Sequence, residues 1–422
     1  MDSRQRIQHA LNHREPGSLP VDFGSTPATG MHVKIVYKLR QYFGLDGPGC
    51  PVKLIDPFMM LGEIRDDLRQ VIGIDTTILA GKGNLLGFNN DSWKEWQMWD
   101  GTPVLVPALF NTEENKDGSL FQYPQGDKKC HPVSKMPKEG YFFDSVIRQD
   151  KIIEEELNPA DNLEEFGFLS KESLDYFKNA AEDLYDNTRY SITALIESHC
   201  SSFGDFFCIP APMLKNPKGI RDPQEWLVSN ITRKSYIKEV FEAQSDIAVE
   251  NYRRAYGAVG NKIDVVFITG TDFGMQTGLL VSKDIYRQLY KPYHKKINDW
   301  IHGNTGWKTF IHTCGSMYEL IPDLIDAGFD ILNPVQISAR NMEPEKLKKE
   351  FGKDIVFWGG GVDTQKTLSF GTPEEVKEQA RQLIDIFSPG GGFVFSTIHN
   401  IEPNVPVENI AAMIDVIHEY RN

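Results

Sequence analysis

Hydrophobic and polar positions divide this chain into four stretches of different rhythm. From residue 233 onward the pattern is regular, with short apolar runs alternating with longer amphipathic ones. A long helix ends near Gly257, and Ile263 to Ile268 then reads as a largely apolar strand leading to Thr271-Asp272-Phe273-Gly274. A helix is predicted from the N-cap Ser282 to about His302, a strand over Trp307 to His312, and a helix over Met317 to Ala327. Phe329 to Asn333 reads as strand, Glu343 to Glu350 as helix, and Ile355 to Trp358 as a strand ending in Gly359-Gly360-Gly361-Val362-Asp363. Thr372-Pro373-Glu374-Glu375 is a helix start, with a capping threonine, proline in the first turn and acids beside it, and that helix runs to Phe387. Gly392 to Phe395 is the last strand, and Pro406 opens the closing helix.

The N-terminal half is less uniform. Arg4 to Asn12 reads as an amphipathic helix, Leu19 to Gly24 as a short strand carrying Asp22 to its end, and Lys34 to Phe43 as a helix. Asp56 to Ile72 also has helical spacing, with Met59, Met60, Leu61, Ile64 and Leu68 placed for burial, and Gly73 to Leu79 reads as strand. From about 83 to 145, short alternating runs such as Trp93 to Trp99 and Thr102 to Val106 are separated by Asn, Asp and Gly turns, which is a hairpin signature. The stretch 146 to 240 is mostly helical, interrupted by a strand candidate at Tyr190 to Ile196 and by a loop carrying Phe203, Phe206, Phe207 and Cys208. Those aromatics read as buried loop anchors more readily than as the lining of a planar pocket.

Five strands alternating with helices predict a parallel α/β sheet, and the earlier strands make a (β/α)8 TIM barrel its natural closure, although the regular half alone also fits a doubly wound sheet. The expected organisation is one barrel domain over 1–422 with a hairpin and helical insertion over about 83–240, placed as a lid near the mouth.

Composition narrows the function classes. The 422 residues carry a formal net charge of -14, which argues against nucleic acid as a partner. No apolar run is long enough to span a membrane, and the polar N-terminus is no secretory signal, so a cytoplasmic protein is expected. Five scattered cysteines (Cys50, Cys130, Cys200, Cys208 and Cys314) suit reduced thiols rather than a disulfide framework.

In a parallel barrel the carboxyl ends of the strands converge, which would gather Asp22, Asp272, His312, Cys314, Asn333, Asp363 and His399 at one mouth. One cysteine and two histidines form a donor set that suits Zn²⁺ and leaves a fourth position, which is open to a reactant or is filled or flanked by Asp363 or another carboxylate. Barrel mouths also hold isolated histidines without metal, and the aspartates can equally be loop-closing groups. The glycine runs 359–361 and 390–392 match no phosphate-binding motif and read as turns.

Several segments in order resemble the uroporphyrinogen decarboxylase superfamily. They are Arg6-x-x-x-Ala10-Leu11-x-His13-x-x-Pro16, Asp272 to Gly278, Tyr290-Lys291-Pro292-Tyr293, His312-Thr313-Cys314-Gly315, Asp330 to Gln336, Gly360 to Gln365, and Gly392 to Asn409. The resemblance implies a (β/α)8 barrel and one of two chemistries. The decarboxylases carry an arginine-rich stretch after the first strand that receives the carboxylates of a tetrapyrrole, whereas here Phe23 to Gly30 contains no arginine. The methyltransferase branch has an H-x-C motif that binds zinc, matched by His312 and Cys314, and a third ligand in the last-strand loop, where this chain has His399 instead of the cysteine of thiol-methylating members.

This implies a zinc enzyme moving a methyl group from a methylated, chiefly methoxylated, small substrate to the cobalt of a separate corrinoid protein, since the chain has no D-x-H-x-x-G corrinoid motif. His312, Cys314, His399 and Asp272 are then the expected catalytic residues, the first three of them metal ligands, and Asn333, Gln336 and Asp363 the expected cofactor contacts. A homodimer, a decarboxylase of a smaller acid, a methylcorrinoid:thiol methyltransferase and a non-enzymatic corrinoid- or tetrapyrrole-binding protein stay open at this point.

Overall fold

The computed structural model describes residues 1–196 and 201–421; Cys200 lies outside them. Seven parallel strands form one curled sheet: β1 (Thr76–Ala80), β2 (Ser191–Leu195), β3 (Val265–Thr269), β4 (Lys308–His312), β5 (Ile331–Asn333), β6 (Val356–Trp358) and β7 (Phe393–Val394). Each strand pairs with the next in chain order. The edges approach each other across residues 20–22, where Asp22 N–H donates to Phe395 O, Phe395 N–H to Pro20 O, and Asp75 N–H to Val21 O. The result is a TIM-barrel-like α/β fold.

Side-chain alternation explains the layers. Val265, Phe267, Phe310, Ile331, Val356, Trp358 and Val394 point inward and pack with Ile7, Ala10 and Leu11 of the helix Ser3–Leu11, which plugs one end. Their neighbours Val266, Ile268, Ile311, Leu332 and Phe357 point outward and pack in the larger cluster beneath the helices. At the plugged end the fully buried Asp75 pairs with Arg6 at 2.5 Å and Arg421 at 2.8 Å and accepts from Val21 N–H. One carboxylate thus ties together the first helix, the residue that bridges the sheet edges and the end of the closing helix.

Three sequence expectations change. Asp56 to Ile72 is not one helix: strands Val52–Asp56 and Leu61–Gly62 precede a helix limited to Asp66–Ile72. Pro57 disfavours helix in the residue before it, and Asp56 Oδ1 accepts from the N–H groups of Phe58 and Met59, forming a tight turn instead. The expected helix from Ser282 to His302 contains a π-helical turn at Tyr286–Tyr290 between Lys283–Ile285 and Lys291–Asn304. Pro292 has no N–H to continue the i→i−4 ladder, and the widened turn absorbs the gap.

The third change concerns the span 83–240, which includes the barrel strand β2. Its antiparallel part is confined to two small sheets, one joining Trp93–Gln97 and Pro103–Pro107 to Val52–Asp56 and Leu61–Gly62, the other running from Thr112–Glu114 to Asp144–Ser145. They dock against the segment that follows β2: Arg148 donates to the carbonyls of Pro210, Ala211, Leu214 and Lys215, and Phe58 meets Phe207 edge to face. No described helix is long and apolar enough to cross a membrane.

Candidate metal centre

Strand β4 places its last residue by simple alternation. Phe310 faces the barrel interior, so His312, two residues on, faces the same way at the open end. The chain then turns sharply through Thr313-Cys314-Gly315. Gly315 sits at φ +92°, and a Cβ there would overlap the Gly274 backbone, while a Cβ on Gly274 would lie 2.5 Å from Cys314 O. The H-x-C loop therefore packs directly on the loop after β3, and the two glycines allow that approach.

Three ligand atoms, one each from His312, Cys314 and His399, lie within 4.8 Å of one another. Cys314 Sγ is 3.4 Å from His312 Nε2, and the two imidazole rings stand edge to face at 5.3 Å. His312 is buried, whereas Cys314 and His399 are partly open to solvent, so one side of the cluster remains accessible.

The tautomer of His312 follows from its neighbour. Asn333, at the end of β5, donates its amide N–H to Trp358 O at 2.8 Å, which turns its carbonyl oxygen to His312 Nδ1 at 2.6 Å. That oxygen can only accept, so Nδ1 carries the proton and Nε2 presents a lone pair toward Cys314. Orienting a metal histidine through its other nitrogen is what a ligand site requires.

Burial lowers the pKa of both His312 and His399 to about 4, with the Asn333 bond opposing it at His312 and the proximity of His312 adding to it at His399. Both rings are therefore neutral at pH 7. Burial and the neighbouring Asp272 push the Cys314 thiol well up. Two neutral imidazoles and a thiol that ionises only against a strong cation fit Zn²⁺ better than they fit a free nucleophile.

Asp272 accepts the Cys314 N–H at 2.6 Å and so fixes the loop from the β3 side; burial raises its carboxyl pKa. Gln336 Oε1 accepts the Gly315 N–H at 2.7 Å from the β5 side. Asp363 accepts the Gln365 N–H at 2.8 Å within its own loop. Asp22 is fully buried and accepts from Trp358 Nε1, Thr76 and the Ser25 N–H, so it braces the interior beneath the mouth. Of the aromatics after β2, Phe203 is an interior anchor and Phe207 is 46% exposed. Sequence reasoning missed Asp205 in that same loop, a carboxylate only 7% exposed; its one signal was an acid set in a Phe-rich run.

The family model described as uroporphyrinogen decarboxylase (URO-D) matches residues 218–420. Among curated proteins, a methylcobamide:CoM methyltransferase, MtaA, of Methanosarcina barkeri is 25% identical over 215 residues, covering 48% of this chain and 57% of the relative. A uroporphyrinogen decarboxylase of Ruthia magnifica is 24% identical over 189 residues, 44% of this chain and 50% of the relative. The chain thus spans about half the length of these relatives. A solved methyltransferase from Methanosarcina mazei superposes with a TM-score of 0.55 at 15% identity, covering 100% of both chains, which supports the barrel-like fold. The stretch 218–420, which carries the whole His312–Cys314–His399 cluster, is thus the part of the chain that is similar to the uroporphyrinogen decarboxylase family.

Proposed function

We propose that this protein is a zinc-dependent methyltransferase that moves a methyl group from a methoxylated small substrate to the cobalt of a separate corrinoid protein. The observation that carries the reading is the oriented, half-open donor set of His312, Cys314 and His399. A decarboxylase of polyanionic tetrapyrroles needs cations at its mouth, and the arginine-free Phe23 to Gly30 loop is instead clasped by Asn400 after the last strand: Gly30 N–H donates to Asn400 Oδ1, and the Asn400 amide to Pro27 O. Similarity to a methylcobamide:CoM methyltransferase supports corrinoid-linked methyl transfer, not its direction.

Zinc, when bound, would supply Lewis acidity to the ether oxygen. The chain's own residues supply the setting. Asn333 holds His312 in the tautomer that leaves Nε2 free, and Asp272 and Gln336 grip the H-x-C loop from opposite sides. The inward layer of Phe267, Phe310 and Trp358 closes the barrel below, so the substrate and the corrinoid must both come from the open face. A reduced thiol ligand and a reduced corrinoid suit a cytoplasmic setting, and the whole chain acts as one barrel domain in this reading.

The test is metal analysis together with methyl transfer to a reduced corrinoid acceptor from a panel of methoxyaromatics, methylamines and methyl thioethers. His312→Ala and Cys314→Ala should lose both zinc and transfer. Full zinc and full activity in either variant would sink the assignment, and a metal-free preparation that decarboxylates a small acid would replace it.

A further inference from the structure

Asp205 lies on the segment following β2, and the site described so far makes no use of it. Its Oδ1 accepts the Phe207 N–H at 2.8 Å, the Cys208 N–H also faces the carboxylate, and no side chain among the described residues bonds its Oδ2. The residue is 7% exposed, and no lysine or arginine among the described residues pairs with it. Oδ2 lies 3.2 Å from the point where a Gly270 side chain would begin, and that same point is 3.6 Å from Phe267 Cζ. Phe267 belongs to the inward layer and packs at 5.5 Å against Phe310, the residue directly beneath His312. The Oδ2 of Asp205, without a side-chain partner, thus lies beside the same aromatic layer that underlies the metal-ligand cluster, one strand away.

A buried carboxylate with no counter-charge is costly when ionised and is stable when it holds a proton. Burial, reinforced by the charge of nearby Asp272, raises Asp205 to about 7. The other ionisable group facing it is the Cys208 thiol, itself pushed up by burial. A carboxylic acid that keeps its proton near neutrality and lies beside the loop following a barrel strand that also carries a metal-site residue has the properties of a general acid.

We propose that Asp205 is a catalytic acid, giving its proton to the oxygen that leaves when the methyl group departs; this rests on the methyl-transfer reading above. The carbon–oxygen bond breaks with its electron pair passing to oxygen. Asp205 protonates that oxygen, so the product leaves as a neutral alcohol or phenol, and the carboxylate is reprotonated from solvent. The reduced corrinoid supplies the electron pair of the new carbon–cobalt bond. The proposal explains why a carboxyl group is held beside that loop without a cation.

The experiment compares full-length, zinc-loaded wild type with Asp205→Asn, using free cob(I)alamin as acceptor and two donors: a simple methoxyphenol and its nitro-substituted analogue, whose phenolate needs no protonation to leave. The variant should transfer methyl from the simple ether about 100-fold more slowly, within the usual range for a lost general acid, and from the activated ether less than about 10-fold more slowly. Its zinc content should match wild type, and the infrared difference spectrum of the metal-free proteins at pH 6 should show a carboxylic acid carbonyl present only in wild type. Equal slowing of both donors, loss of zinc, or absence of that carbonyl band would overturn the role of Asp205. Wild type that moves methyl from neither donor, while retaining zinc, would instead overturn the methyl-transfer reading.

Discussion

Removing the Asn333 side chain tests whether the histidine orientation described above governs metal affinity. Asn333→Ala deletes the acceptor of the His312 Nδ1 proton at 2.6 Å and the donor to Trp358 O at 2.8 Å, and no water can readily replace either at a fully buried position. Each orphaned polar group costs about 1–3 kcal/mol. The Trp358 share falls on stability with or without metal. The His312 share falls on the metal, because the ring loses the bond that keeps Nε2 aimed at the cluster. Loss of such a supporting contact lowers metal affinity by about 10–100-fold, which is about 1.4–2.8 kcal/mol.

Competition against a chromophoric zinc chelator at pH 7.5 reads this directly, with the circular dichroism and melting of the metal-free protein as the folding control. Asn333→Asp separates the two shares: it keeps an acceptor for Nδ1 but sets a carboxylate oxygen against Trp358 O. Its zinc affinity should stay nearer wild type while its stability drops. If Asn333→Ala binds zinc within twofold of wild type while His312→Ala binds none, the argument from tautomer and orientation is wrong.

Three other outcomes follow from the same geometry. With His312 and His399 neutral above about pH 5 and the Cys314 thiol protonated at pH 7, zinc binding should release about one proton, measurable by calorimetry in buffers of differing ionisation enthalpy, and Cys314→Ser should release none. Gly315→Ala forces a Cβ into the Gly274 backbone at φ +92°; it should lower stability by more than about 1 kcal/mol and zinc affinity by at least about tenfold, and an unchanged melt would refute the close packing of the two loops. Asp205 has a folded pKa of about 7, above its unfolded value, so it opposes folding increasingly as pH rises through that interval. Asp205→Asn should therefore gain stability relative to wild type between about pH 4 and 7, by up to about 4 kcal/mol, and the difference should be level above pH 7; a pH-independent difference would exclude the raised pKa.

Local pattern and tertiary context divide the explanation unevenly. Trp307 to His312 was legible as a strand because apolar residues with one outlet at its end admit few other readings, and β4 covers Lys308–His312. The helix opened by Thr372 begins at Pro373 with the full capping box, since capping is a matter of a few adjacent residues. Asp56 to Ile72 misled because its spacing is helical while Pro57 and the Asp56 side chain stop helix formation locally. The hairpin of Trp93–Gln97 and Pro103–Pro107 formed as read, whereas the outer limit of the insertion did not, because β2 is assigned to the barrel only by its neighbours on both sides.

The sequence by itself determined the alternating α/β character, the placement of His312 and Cys314 at a strand end, and the lack of arginine after the first strand, all properties of residues close together in the chain. Only the tertiary structure decided which nitrogen of His312 faces the cluster, because that depends on an amide from β5 held in turn by a carbonyl of β6. It also decided that His399 stands beside His312 rather than merely at an equivalent strand end, that Asp75 gathers Arg6 and Arg421, and that Asp205 lies beside Phe267 without a cationic partner among the described residues. Those relations are set by barrel closure, which brings strand ends distant in sequence within a few ångströms, and side-chain spacing along the chain carries no record of that distance.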